Sequence, residues 1–170
     1  IEKNNRKSWW KKALLAYHYF FDSSKNILLN NLEPLNLLKI KHVKLLGKPS
    51  TSIVAIDTIK EKLDKKGIKD FIIFHPSAQY YYKIYPKHLR DRLLKNLNSL
   101  DIPILITGSN NAIDLNIKNE IQSLENLYNI IGKTSLQEYL ALSELALAYI
   151  GMDTLNMHIA ASQDKRIFAI

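Results

Sequence analysis

The stretch YIGMDTLNMHIAA, Tyr149–Ala161, decides the architecture. It continues an apolar run, ELALAYIG, that stops at Gly151. Then come an acid, Asp153, and a hydroxyl, Thr154, before His158 and a short run of small apolar residues. A strand covered on both faces reads as an unbroken apolar run, whereas a half-solvated strand alternates. Asp153 or Thr154 can cap the helix that follows. A buried strand passing straight into a capped helix is the repeating unit of a parallel sheet.

The same unit recurs upstream. DFIIFH is expected to be a buried strand, followed by the helix PKHLRDRLLKNLNSL with Pro86 near its first position. IPILITG leads into the helix AIDLNIKNEIQSLEN, and NLYNIIG into SLQEYLALSEL with Ser135 as its N-cap. TSIVAIDTIKEKLDKKG reads as a helix capped by Thr51 or Ser52 and stopped by Gly67, and RIFAI begins a last strand. The expected fold is therefore α/β: a Rossmann-like parallel sheet with helices on both faces. Residues 51–170 form that domain. Residues 1–50 read as the tail of another domain and a connection, with a helix from Ser8 and then an irregular NNLEPLNLLKIKHVKLLGKPS broken at Pro34, Gly47 and Pro49.

Composition narrows the function. The chain has 170 residues and no cysteine, which excludes a disulfide scaffold and any thiolate metal site. No apolar run approaches the roughly 20 residues of a spanning helix. The opening IEKNNRKSWWKKALLAYHYFF resembles a signal peptide only superficially, since His18 interrupts it and no small-residue cleavage site follows. The chain starts with Ile1 and stops within an expected strand, which reads as a fragment of a longer protein. Its net charge of +8 favours anionic partners, or is simply a solvated basic surface. Nucleic acid is not expected, because there is no zinc finger, RNP motif or basic-helix pattern.

In open α/β sheets ligands bind beyond the carboxyl ends of the strands. Four loops leave such ends. PSAQYYYKIYP offers Ser77 and the cation Lys83, which suit a phosphate, or is a surface loop with three tyrosines. GSNNAID reads as a turn at Gly108. GKTSL fails as a phosphate-binding GxxxxGK[ST] loop because the first glycine position is Leu127; Lys133 and Thr134 are left at the rim. MDTLNMH is either a capped helix with a packed histidine, or an anion site at a helix start with Asp153 accepting sugar hydroxyls. Taken together, the four ends suit a diphosphate joined to a sugar. No GxGxxG, GxSxG or HExxH occurs, so a dinucleotide dehydrogenase, an α/β-hydrolase and a catalytic metal are disfavoured, and no cofactor is expected.

The succession HPSA…KIYP, PILITGS, NIIGKTSLQEYLAL, YIGMDTLNMHIAA and RIFAI resembles glycosyltransferase family nine, the bacterial ADP-heptose heptosyltransferases of lipopolysaccharide core synthesis. The resemblance covers about residues 70–170. It implies the C-terminal, nucleotide-sugar-binding half of a GT-B enzyme, with the catalytic base in the N-terminal domain. It implies an inverting transfer of heptose from ADP-heptose to a lipid A-Kdo acceptor, in the cytoplasm and peripherally on the inner face of the membrane, aided by lysines such as Lys11 and Lys12. It further places Ser77, Ala78 and Lys83 by the diphosphate, with Lys83 neutralising leaving-group charge, and Thr134 near the base or ribose. Asp153 would hold sugar hydroxyls, Thr154 and the amide of Leu155 would meet phosphate, and His158 would support that loop. Leu155 stands where the family often has Gly, and Ala78 where it often has a hydroxyl. Asp114 is the candidate for the acid that often follows the GS turn. Two alternatives accompany this reading: a GT-B transferase or epimerase using a UDP-sugar, and a non-catalytic basic binding module.

Overall fold

The computed structural model describes residues 14, 16, 19, 21–41 and 47–170. The expected helix from Ser8, and Lys11 and Lys12, lie outside the described residues. The chain divides into two compact units, Ile1–Leu45 and Leu46–Ile170.

In the first unit the expected irregular segment is in part a helix, α1 (Ile27–Leu37), with Pro34 inside it. Its start explains why it forms. The Asn26 side chain accepts from the Leu28 amide at 2.8 Å. Asn30 is buried at 3 % exposure, accepts from the Asp22 amide at 2.8 Å and donates to the Asp22 carbonyl at 2.9 Å. That pair ties the preceding loop to the helix. Pro34 removes one i→i−4 bond, but the cap and the buried asparagine offset that loss.

The second unit holds five strands: β1 (Ile72–His75), β2 (Ile104–Ile106), β3 (Leu127–Asn129), β4 (Ala148–Gly151) and β5 (Arg166–Ala169). All pair in parallel, in the order β3-β2-β1-β4-β5. Five helices connect or flank them: α2 (Ile53–Asp64), α3 (Lys87–Asn98), α4 (Ala112–Glu120), α5 (Leu136–Leu145) and α6 (Leu155–Ser162). The strand period of two sends side chains to opposite faces. Ile73, Leu105 and Tyr149 pack with Ala55 and Ile59 of α2, Leu142 of α5 and Ala160 of α6. Phe74, Ile104, Ile106 and Ile150 pack with Leu94 and Leu97 of α3 and Ile117 of α4. Helices therefore cover both faces, as the apolar runs require. Among the described residues no helix is long and apolar enough to cross a membrane.

Helix ends follow the residues that mark them. α2 stops before Gly67, whose φ of +67° is open to glycine without strain. Ser52 occupies its N-cap position without a side-chain bond. Pro86 is the N-cap of α3, one residue before the helix, and α4 ends earlier than expected, at Glu120. Ser135 heads α5 in a capping box: its hydroxyl accepts from the Glu138 amide, and the Glu138 carboxylate accepts from the Ser135 amide at 2.7 Å. Lys62 of α2, 2.5 Å away, and that amide hold the Glu138 carboxyl down at about 2. Arg90 of α3, almost wholly buried, reaches Glu120 of α4 at 2.5 Å.

One glycine is required by space rather than by a turn. A Cβ at Gly151 would lie 2.4 Å from the His75 carbonyl oxygen, a backbone atom that cannot swing aside. Gly151→Ala is therefore expected to cost roughly 2 kcal/mol or more, as overpacking against rigid structure does. Urea unfolding of the two proteins measures it, and equal midpoints would show that β1 and β4 separate freely.

Candidate functional site

The order β3-β2-β1-β4-β5 reverses direction between β1 and β4. Loops leaving these two strands diverge, and a crevice opens beyond their carboxyl ends. A cavity of about 500 Å³ lies there, a size that suits a small-molecule ligand.

Its floor is set by one backbone substitution. In the β1–β2 ladder the Ile72 amide donates to the Pro103 carbonyl. Two residues per step bring position 76 opposite the Thr107 carbonyl. Residue 76 is proline and has no N–H. The His75 side chain fills the gap: its Nδ1 lies 3.1 Å from the Thr107 carbonyl oxygen. The Thr107 hydroxyl oxygen lies 3.2 Å from the same nitrogen. Because the carbonyl can only accept, we assign the ring proton to Nδ1, which makes Nε2 the acceptor. The Ser77 Oγ lies 3.3 Å from Nε2 and donates to it. The Asn156 amide nitrogen lies 2.9 Å and 3.2 Å from the two ring nitrogens, so it rests over the ring face. Burial pushes the imidazole down to about 4, against the opposing pull of the Asp114 charge and the Thr107 carbonyl. His75 is thus neutral near pH 7.

The walls come from three helix starts. Asn111, Ser135 and Thr154 are the N-caps of α4, α5 and α6, and all three line the cavity. Their amides turn partial positive charge toward it. Thr154 makes no cap bond, and its Oγ1 is buried without a partner. The buried Tyr139 hydroxyl is also without one, and burial beside Tyr149 pushes its pKa well above the usual phenol range. Buried groups of this kind ordinarily have partners, so both suit a polar ligand. Asp114 is buried and accepts from the Ser109 amide at 2.5 Å. Lys83 stands at the rim, its Nζ 6.0 Å from the ring centres of both Tyr80 and Tyr82. Those rings stack at 5.6 Å, and the ammonium lies at the outer limit of cation–π contact with both.

Ser77, Ala78, Lys83, Thr134, Asp153, Thr154 and Leu155, all expected from the strand ends or the family resemblance, line this one cavity. His158 does not line it; it is largely exposed, with Nε2 3.4 Å from Asp153 Oδ1. His75, Tyr139 and Asn156 line the cavity without having been singled out. His75 was hidden as the last residue of an apolar run, and the Pro76 that follows it was the available signal. Tyr139 sits within an apolar helix, where an aromatic reads as core.

Comparison with known proteins decides the family. A profile described as glycosyltransferase family 9 (heptosyltransferase) matches residues 6–170. This chain belongs to glycosyltransferase family 9. It is 27 % identical to lipopolysaccharide heptosyltransferase 3 of Escherichia coli (strain K12) over 116 residues, 66 % of this chain and 34 % of that protein. Its fold matches the family 9 glycosyl transferase from Veillonella parvula DSM 2008 with a TM-score of 0.76 at 16 % identity, over 95 % of this chain and 48 % of that one. E. coli ADP-heptose lps heptosyltransferase II matches with a TM-score of 0.63 at 19 % identity, over 78 % and 42 %. The E. coli heptosyltransferase WaaC with ADP also gives 0.63, at 12 % identity, over 94 % and 50 %. The family 9 sheet seen in those structures is the sheet found here. This chain spans about half the length of the solved relatives or less, and about a third of the curated one.

His75 makes stability depend on pH. Its folded value, about 4, lies below the ordinary 6.5, so the unfolded chain takes the proton first. The contribution is whole above pH 6.5 and is lost as pH falls toward 4, amounting to about 3 kcal/mol. The difference in unfolding free energy between wild type and His75→Gln is expected to shrink by that order across the window. A constant difference from pH 7 to pH 4 would show that the folded imidazole titrates normally.

Proposed function

We propose that this chain is the nucleotide-sugar half of an inverting heptosyltransferase that moves a heptose from ADP-heptose to a lipopolysaccharide core precursor. The observation that carries the reading is the single cavity at the strand-order reversal, where a cation, three helix N-termini and an exposed carboxylate converge. Family membership adds the reaction class. The relatives' names supply the ligands: one solved heptosyltransferase is described with ADP, and another structure with ADP-2-deoxy-2-fluoro heptose.

In this reading the helix starts and Lys83 face the diphosphate. Charge builds on that group as the bond to the anomeric carbon breaks, and preorganised donors stabilise it. Asp153 accepts from sugar hydroxyls, and His158 steadies Asp153 from outside. Thr134 and Leu136 border the space for the nucleoside. A general base takes the proton from the acceptor hydroxyl. We place that base in the N-terminal domain of the whole enzyme, so this half alone binds donor without turning it over. The boundary near residue 50 is proposed as the link between the two domains. Scattered lysines behind the +8 net charge would favour an anionic membrane surface, where the acceptor resides, at up to roughly 1 kcal/mol each.

Calorimetric titration of the full-length protein with ADP, ADP-heptose and UDP-sugars tests this. ADP-heptose should bind selectively. Lys83→Ala should weaken ADP and ADP-heptose alike, by roughly tenfold, as loss of a charge-assisted contact does. Asp153→Ala should weaken ADP-heptose more than ADP. Preference for a UDP-sugar would move the reaction to another GT-B class. Absence of nucleotide binding with steep salt-dependent binding to anionic surfaces would make the protein a basic binding module.

A further inference from the structure

Proton counting at His75 leaves Ser77 in a state that a phosphate cannot use. The imidazole Nδ1–H is committed to the Thr107 carbonyl, which Pro76 cannot serve. Nε2 is then an acceptor; the Asn156 amide nitrogen, 3.2 Å away, rests over the ring face, so the Ser77 hydroxyl is the donor that meets its in-plane lone pair. Ser77 is left presenting lone pairs to the cavity it lines. Phosphate oxygens are acceptors too, so the contact is repulsive. Were Ser77 to swing its proton toward the ligand, Nε2 would lose that donor while buried, at a cost comparable to the bond gained.

Protonation removes the conflict. An imidazolium donates from both nitrogens. Its Nε2–H would point at Ser77 Oγ, and the serine proton would be free for an oxygen in the cavity. Nδ1 would keep its bond to Thr107, and the Asn156 amide nitrogen, a donor 2.9 Å and 3.2 Å from the two ring nitrogens, would have to turn away.

We propose that His75 is a positioning residue through which this site takes up a diphosphate together with a proton, turning Ser77 from acceptor to donor. The proton comes from solvent, settles on Nε2, and leaves again with the ligand. No covalent bond changes. This rests on the diphosphate reading of the cavity given above. The surrounding charges make the ligand the deciding influence. Asp114 at the start of α4 favours the imidazolium; Asp153 after β4 and Lys83 on the β1 loop line the same cavity with opposite charges. β2 offers only Thr107, α5 the neutral Tyr139 and α6 the neutral Asn156. In the free protein burial wins and the ring stays neutral. A diphosphate adds negative charge beside it and reverses the balance.

The test is calorimetric titration of the full-length protein with ADP between pH 5.5 and pH 8, in buffers of different ionisation enthalpy. The dependence of heat on buffer gives the protons taken up per ADP bound. Wild type is expected to take up more than His75→Gln near pH 6.5, by up to about one proton. Titration of ADP itself is common to both proteins and cancels. Ser77→Ala, which keeps the imidazole, should cost roughly tenfold in affinity at pH 5.5 and much less at pH 8, because only the acid form needs the hydroxyl as donor. Equal proton uptake by wild type and a folded His75→Gln overturns the proposal, as does a Ser77→Ala loss that is the same at both pH values. If His75→Gln does not fold, the Ser77→Ala comparison decides. Failure of ADP to bind the folded wild type at any pH removes the diphosphate reading, and this proposal with it. That outcome is distinct from binding with an unchanged proton count.

Discussion

The site depends on how closely β1 and β4 approach where the sheet reverses its winding. Gly151 lies against the His75 carbonyl, with no room for a side chain between them. The Met152 amide donates to that same carbonyl at 3.3 Å, so the two strand ends are fastened just before their loops part. Two of the loops that line the cavity hang from this junction. One loop carries Ser77 and Lys83, and the other carries Asp153 and Thr154. Neither loop could aim at the other's residues if the strand ends were free to separate.

Much of the fold was legible because the governing signals are local. Unbroken runs such as FIIFH and ALAYIG require cover on both faces, and Gly67 and Ser135 mark helix ends by backbone and side-chain chemistry that acts within a few residues. What stayed hidden depends on partners distant in the chain. Nothing near Arg90 in the chain marks it for burial, yet it is buried because Glu120 meets it from the next helix. In the sequence Pro34 reads as a break, because the buried Asn30 that secures the start of its helix is visible only in three dimensions. The boundary near residue 50 is read from the breakers Pro34, Gly47 and Pro49 and from the regular pattern that follows them.

The site divides in the same way. Charged and hydroxyl residues at strand ends could be picked out by position, and most of them line the cavity. The histidine under the floor could not, since its importance comes from a proline that cannot donate and a carbonyl on another strand. A single missing N–H thus couples the sheet ladder to the polarity of the ligand chamber. His158 touches this set from outside the cavity. It sits at a promising spacing, but its helix carries it to the exposed side of Asp153.

The central strand pair also has a kinetic meaning. β1 joins β2 over a short loop and helix, but it joins β4 only when Ile72 finds Ala148 from far along the chain. Contacts of such long range form slowly, because the intervening chain must first be ordered. The strands on the β2 side can assemble while the other side is still unmade. The cavity, which needs both, cannot exist until that pairing is made. A chain stalled before that pairing would hold much of its secondary structure and no cavity at the strand ends.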